Sequence, residues 1–254
     1  NGGGIGRNLW AFDADLNLHW HRTLEGAAFG HHWAVAFCDI DGDGRDEILA
    51  GGTLFSADGS VLWVHDREPE MYDAGEHYDA VAFGNLSGQE DTDPAALLVA
   101  SSMGVYVIDA VTGRTRAVHR MGHAQGRTIA NLCPDRYGTE VLIHTRWENY
   151  GIFSLFSAHG DRLWTRQPTY VPGVLPVTWH PYNCIWVHST GGGQAFYDCE
   201  GRCVKKLKAL SELWGARMGN EVGRAVNRIG CSEYDSLCLT VDNVMHVYAP
   251  HMHS

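Results

Sequence analysis

The stretch Asp39-Ile-Asp-Gly-Asp-Gly-Arg-Asp-Glu47 carries the densest chemistry in the chain. Asp39, Asp41 and Asp43 alternate, which gathers carboxylate oxygens into one tight turn. Gly42 and Gly44 let the backbone fold round them, because glycine accepts positive φ. Hard oxygen donors at this spacing suit Ca²⁺, as in the first half of an EF-hand loop. The flanking apolar runs, Trp33 to Phe37 and Ile48-Leu-Ala, read as strands rather than helices, so this is not an EF-hand proper. The expected ion is a structural Ca²⁺, with ligand positions Asp39, Asp41, Asp43, Arg45 and Glu47. The competing reading is an acidic hairpin turn, in which uncompensated carboxylates would repel one another.

Histidines form the second constellation. His31, His77 and His123 stand at the same place before three similar apolar runs, His31-His-Trp-Ala-Val-Ala-Phe-Cys-Asp39, His77-Tyr-Asp-Ala-Val-Ala-Phe-Gly-Asn85 and His123-Ala-Gln-Gly-Arg-Thr-Ile-Ala-Asn131. His32 and Tyr78 share the next position. Equivalent positions in a repeat converge in space, so these side chains are expected to share one surface; the alternative is unrelated histidines at solvated strand starts. His144 follows at the end of the next run, and a hairpin would bring it beside His123, with Arg146 and Tyr150 close behind. Histidine suits proton transfer because its unperturbed pKa of about 6.5 lies near neutral pH. A third group, His180, Cys184, His188, Cys199 and Cys203, mixes imidazole and thiol donors, a set that suits Zn²⁺. Cys184–Cys199 or Cys199–Cys203 disulfides and plain core cysteines are the alternatives there. Cys231 and Cys238 pair across a hairpin or simply pack.

The elements that must hold these residues follow from the repeat. Weaker copies of the apolar run pass through Leu175-Pro-Val-Thr-Trp179 and Val222-Gly-Arg-Ala-Val-Asn227, a spacing of roughly 45 to 50 residues that indicates propeller blades. Each repeat supplies a second run (Glu47-Ile-Leu-Ala, Glu140-Val-Leu-Ile-His), a third (Val105-Tyr-Val-Ile, Ile152-Phe-Ser-Leu-Phe) and a fourth (Val61-Leu-Trp-Val, Arg162-Leu-Trp-Thr). Turns such as Ala57-Asp-Gly and Ala158-His-Gly-Asp join the last two, with Gly providing hairpin geometry. Residues 9–22 read as the last two strands of an earlier blade, and Trp20, Trp63 and Trp164 as packing residues between blades. The fold class expected is all-β, a β-propeller of four-stranded antiparallel blades with about five to six blades present. Residues 1–254 form one domain, with upstream sequence expected to be missing and a short helix allowed at Leu207 to Trp214.

Composition bounds the function. The formal net charge is -11, which argues against a nucleic-acid surface. No run of about 20 apolar residues is present, so no membrane span is expected. Seven cysteines is an odd number, and their usage does not define a redox compartment.

The Asp39–Glu47 loop, Gly122-His-Ala-Gln-Gly126, Pro134-Asp-Arg-Tyr-Gly-Thr-Glu-Val141, Val177-Thr-Trp179, Tyr197-Asp-Cys-Glu-Gly-Arg202 and Val247-Tyr-Ala-Pro250 together resemble the propeller of rhamnogalacturonan-lyase-like and ulvan-lyase-like polysaccharide lyases. Asn85-Leu-Ser-Gly and Asn227-Arg-Ile-Gly depart from the loop pattern by lacking acidic ligands. The resemblance implies β-elimination on an acidic polysaccharide of rhamnogalacturonan, ulvan or rhamnose–glucuronate type, by a monomer acting outside the cell or in the periplasm. It implies catalytic roles for His123, His144, Arg146, Tyr150 and Tyr170, and substrate contacts at His31, His32, His77, Tyr78 and Gln125. It also allows a structural zinc held by His180, Cys184, His188 and Cys199. The rival reading is a non-catalytic, calcium-stabilised propeller that binds glycans or proteins. A quinoprotein-like dehydrogenase would need a large cofactor platform, for which no motif is present.

Overall fold

Short runs of β-branched and aromatic residues, each closed by an Asp/Gly turn, favour antiparallel hairpins over helices. The computed structural model bears this out: it describes residues 8–23, 31–32, 35–65, 77–88, 93–100, 104–145, 151–167, 173–179, 182–188, 194–207, 223–227, 236–241 and 244–248, and every regular element among them is a strand. Strands β1 (Asn8–Phe12) and β2 (Leu18–Thr23) pair as a half-blade. A first four-stranded sheet follows in the order β4 (Val35–Cys38), β5 (Glu47–Ala50), β6 (Thr53–Phe55) and β7 (Val61–Val64). A second holds β8 (His77–Asn85), β9 (Pro94–Ala100), β10 (Gly104–Asp109) and β11 (Thr115–Arg120). A third holds β12 (Ala124–Ala130), β13 (Glu140–Thr145), β14 (Phe153–Phe156) and β15 (Arg162–Arg166). The fourth is β16 (Gly173–Trp179), β17 (Tyr182–His188), β18 (Gln194–Tyr197) and β19 (Cys203–Leu207). Strands β20 (Gly223–Asn227), β21 (Ser236–Val241) and β22 (Val244–Tyr248) make a three-stranded sheet.

Consecutive strands of each sheet are antiparallel neighbours, as short hairpins require. The first strands pack in sequence, β4 on β8, β8 on β12, β12 on β16 and β16 on β20. They form the inner wall of a β-propeller, with the sheets as its blades. Leu207 ends β19 as strand; the rest of the stretch considered for a helix lies outside the described residues.

Blades pack face to face, so both faces of a middle strand are covered. That explains why β10 and β14 are buried along their length rather than on alternate residues. Leu49, Leu54, Val81 and Tyr106 fill the seam between the first two blades. Val105, Val107, Val141 and Ile143 fill the next, and Leu142, Leu155, Ile185 and Val187 the one after.

Three seams share one device. Trp20, Trp63 and Trp164, each on a fourth strand, lie over a hairpin glycine of the following blade. A Cβ on Gly59, Gly113 or Gly201 would stand 2.6, 2.7 or 2.7 Å from the indole. Those glycines also have φ of 82°, 72° and 71°, which L side chains rarely adopt. Each indole Nε1 donates to a carbonyl of the same turn: Ala57 at 2.9 Å, Ala110 at 2.9 Å and Cys199 at 2.8 Å. The seam between the second and third blades departs from this. Ala117 faces the hairpin glycine Gly160, and His119 is buried beside it, stacked on Phe156 with ring centroids 3.8 Å apart.

Candidate functional site

The acidic loop hangs between β4 and β5, whose register pairs Cys38 with Glu47. Gly42 and Gly44 take φ of 76° and 83°, the left-handed turn the spacing predicts. Asp39 Oδ1 accepts from the N–H of Gly42 and Asp43, and its Oδ2 from Gly44, so the backbone wraps one carboxylate. Oxygens of Asp39, Asp41 and Asp43 lie within 4.8 Å of one another. Glu47 stands apart from this group. It is buried, and its Oε2 accepts from the Ile40 N–H at 2.8 Å, which closes the loop. Glu140 does the same in the third blade, accepting from Leu132 at 2.9 Å and Cys133 at 3.1 Å. The Glu47 carboxylate is therefore a strut shared by a blade with the acidic loop and one without it. In the second blade the equivalent Asn85 Oδ1 accepts from Ser87 N–H and Oγ–H, a plain Asx turn. A cleft of about 420 Å³ lies beside the loop, lined by Phe37, Cys38, Asp39, Phe83, Asn85 and Pro94.

The histidine register becomes a real ladder. Strand β3 (His31–His32) runs parallel to β8 and pairs His31 with His77 and His32 with Tyr78. The first repeat thus splits between two sheets, β3 joining the second blade while β4 opens the first. The side chains of His31, His32 and His77 lie outside the described residues. Tyr78 corrects the expectation of a substrate contact: its side chain is fully buried and its hydroxyl lies 3.2 Å from His65 Nδ1. The other ring nitrogen of His65 lies 2.9 Å from Thr115 Oγ1. This buried chain of polar groups ties the seam between the first two blades, and it leaves Tyr78 no face toward a ligand.

In the third blade, β12 and β13 are hairpin neighbours. Their register pairs Ala124 with Thr145 and Gly126 with His144, leaving Gln125 as a bulge. A bulge inserts one residue and re-aims the side chains beside it. The His144 ring occupies the space where any side chain at residue 126 would stand, so a Cβ there would displace the ring. His123 lies just before β12, half-buried, at the His144 end of the same hairpin. Gln125 is half-buried. Arg146, Tyr150 and Tyr170 lie outside the described residues.

One residue was not anticipated. Arg127 occupies the position held by Val35 and Val81 in the two preceding repeats. Its Nε and Nη2 donate to the Val81 carbonyl of β8 at 3.1 and 2.6 Å. Partial burial lowers its pKa from the usual guanidinium value. The available signal was a charge standing in an otherwise apolar column of the repeat.

Among the described residues Cys38, Cys133, Cys184, Cys199 and Cys203 form no disulfide, so neither Cys184–Cys199 nor Cys199–Cys203 is bridged; the Cys231–Cys238 pairing lies outside the described residues. Burial pushes the Cys184 thiol up to about 11 and pushes Cys133 higher still. Among the described residues no group of imidazole and thiol donors gathers as the three aspartates do. His180 and the His188 side chain lie outside them.

Residues 3–180 match the family described as "Rhamnogalacturonan lyase family 11, C-terminal domain". A search of curated proteins returns no match. Among solved structures, the exotype rhamnogalacturonan lyase YesX superposes with a TM-score of 0.64 at 18% identity, covering 97% of this chain and 43% of that one. A rhamnogalacturonan lyase PL11 from Bacillus licheniformis gives a TM-score of 0.59 at 17% identity over 95% of this chain and 40% of that one. BamB from Moraxella catarrhalis gives 0.60 at 14% identity, over 92% and 64% of the two chains. Identities this low speak to the propeller fold alone, and the chain spans less than half the length of the two lyases. The sequence match covers well over half of the chain, and by it this protein belongs to the rhamnogalacturonan lyase family 11, C-terminal domain.

Proposed function

We propose that the chain contributes to a polysaccharide lyase that cleaves a uronate-containing polymer by β-elimination, outside the cell or in the periplasm. The observation that carries this is the β12–β13 hairpin, where His144 lies over Gly126 and His123 lies at the same end. Elimination requires loss of the weakly acidic C5 proton and departure of the O4 substituent. A neutral imidazole takes the C5 proton, and a cation beside the C6 carboxylate stabilises the enolate-like charge that develops. His123 and His144 serve as base and carboxylate neutraliser, with Arg146 assisting and Tyr150 or Tyr170 handling the second proton. His31, His32, His77 and Gln125 contact the polymer at the same end of the inner strands. The reaction leaves an unsaturated uronate, whose ultraviolet absorbance gives the test. Incubation with rhamnogalacturonan, ulvan and rhamnose–glucuronate gums should raise that absorbance with the wild type and not with His144→Ala. A flat trace on every polymer sinks the lyase reading and leaves a glycan- or protein-binding propeller.

The acidic loop supports a structural Ca²⁺ in this proposal. Asp39, Asp41 and Asp43 are hard oxygen donors already gathered by the turn, the donor set Ca²⁺ takes. They would hold the ion, with Arg45 contributing through its main chain. Bound there, the ion supplies charge neutralisation to the loop rather than chemistry at the histidines.

A further inference from the structure

Arg127 has the geometry of an anion receptor rather than of a tether alone. Its guanidinium spends one edge, Nε and Nη2, on the Val81 carbonyl. That fixes the plane and leaves the end-on fork, Nη1 with the second N–H of Nη2. This fork is the one that pairs with a carboxylate through two parallel hydrogen bonds. Several other described arginines are neutralised or stacked. Arg116 pairs with Asp93 and Asp109, Arg136 with Glu200, and Arg202 with Asp198. Arg22 and Arg166 lie over Trp20 and Trp164. Arg127 does neither: among the described residues no carboxylate pairs with it. A carbonyl needs only a neutral donor, whereas a half-buried cation without a counter-ion is costly. In the two preceding repeats a valine suffices at this position.

We propose that Arg127 is a carboxylate-binding residue of the propeller's inner wall, holding an acidic sugar of the polymer at a subsite separate from the histidine hairpin. Identifying the anion as a uronate rests on the lyase reading above. The separation follows from the strand. Gly126 and Arg127 are successive residues and point to opposite faces of the sheet. His144 lies on the Gly126 face, while Arg127 faces β8 of the second blade. Arg127 is also four residues along from His123, roughly 13 Å of strand before the bulge is allowed for. The carboxylate it holds therefore belongs to a sugar other than the one being cleaved.

The test is calorimetric binding of an oligogalacturonate and of its carboxyl-reduced, neutral counterpart to the wild type, Arg127→Lys and Arg127→Gln. The wild type should favour the acidic form by about tenfold or more, the worth of a hydrogen-bonded ion pair. Arg127→Gln should lose that preference while binding the neutral form as before. Arg127→Lys should keep part of it, since the charge stays but the fork is lost. The proposal is overturned if the wild type shows no preference, if Arg127→Gln keeps it, or if that variant melts lower and binds both forms equally poorly. A wild type that prefers the acid through Arg127 yet yields no unsaturated product supports this site and counts against the lyase reading.

Discussion

The Gly126–His144 pair ties a backbone choice to a chemical one. With glycine at 126 the imidazole stands where a Cβ would be; with any Cβ it must shift. Gly126→Ala should therefore displace His144 and behave in the absorbance assay like His144→Ala. Its stability cost should be about 1–3 kcal/mol, as for other overpacked sites. An alanine variant that retains full activity would show that His144 needs no such seat. His119 gives the pH-dependent counterpart. It is buried, its Nε2 meets no hydrogen-bond partner among the described residues, and desolvation lowers its pKa to about 4. The unfolded chain takes up this proton near the ordinary value of about 6.5 and the folded chain only near 4. The unfolded state thus binds more protons across that window, so stability is full above about 6.5 and is lost as pH falls toward 4. Melting curves between those pH values should show the wild type losing stability that His119→Leu retains.

At the scale of elements, stability concentrates in the seams, and the indole-over-glycine contact is the unit. Trp63→Phe keeps the ring but removes the bond to the Ala110 carbonyl, and should cost about 1 kcal/mol. Trp63→Ala empties a packed seam and should cost about 3–5 kcal/mol. Denaturant titration separates the two. Gly113→Ala should be comparably damaging, because its φ of 72° and the indole 2.7 Å away both exclude a methyl group. The acidic loop is the other element with a test. Ca²⁺ should raise the melting temperature of the wild type, chelator should reverse the rise, and Asp41→Asn should weaken both effects. The Glu47 strut predicts a different outcome for Glu47→Gln. It should destabilise the blade with or without Ca²⁺, because the lost group is a charged acceptor for the Ile40 N–H.

For the whole molecule, charge sets how a polyanion approaches. The chain carries a net charge of -11, so its long-range field repels an acidic polymer. On the proposed function, binding has to be won locally, at cations such as Arg127. Repulsion over long distances is screened once the Debye length falls to about 10 Å near 0.1 M salt, whereas a half-buried pair is screened far less. Raising ionic strength from about 0.01 to about 0.1 M should therefore lower the apparent KM for a polyuronate. A KM that climbs steadily with salt would mean that exposed basic patches dominate instead.

Which parts were legible depends on range along the chain. Strand order, hairpin turns and the blade count are local properties. Period, turn residues and apolar runs encode them within a few positions, and the structure follows them from Asn8 to Tyr248. The acidic loop was legible for the same reason: Asp39, Asp41 and Asp43 need only the turn between β4 and β5 to meet. The seams were not. Arg127 reaches Val81 and Trp63 reaches Ala110 across 46 and 47 residues, one whole blade away, and no local pattern states which face of a strand meets which neighbour. Tyr78 shows the consequence. Its place beside His77 suggested a surface residue, but it is buried, with its hydroxyl against His65 of the preceding blade. The His144 seat likewise depends on a single bulge at Gln125, which shifts the register between two strands and leaves no mark in either alone. The sequence by itself determined the blades, their turns and the acidic loop, because short-range backbone preference and hydrophobic period decide those. Only the tertiary structure decided which polar side chains are buried and that Arg127, half-buried, pairs with no carboxylate among the described residues, because both depend on packing between blades.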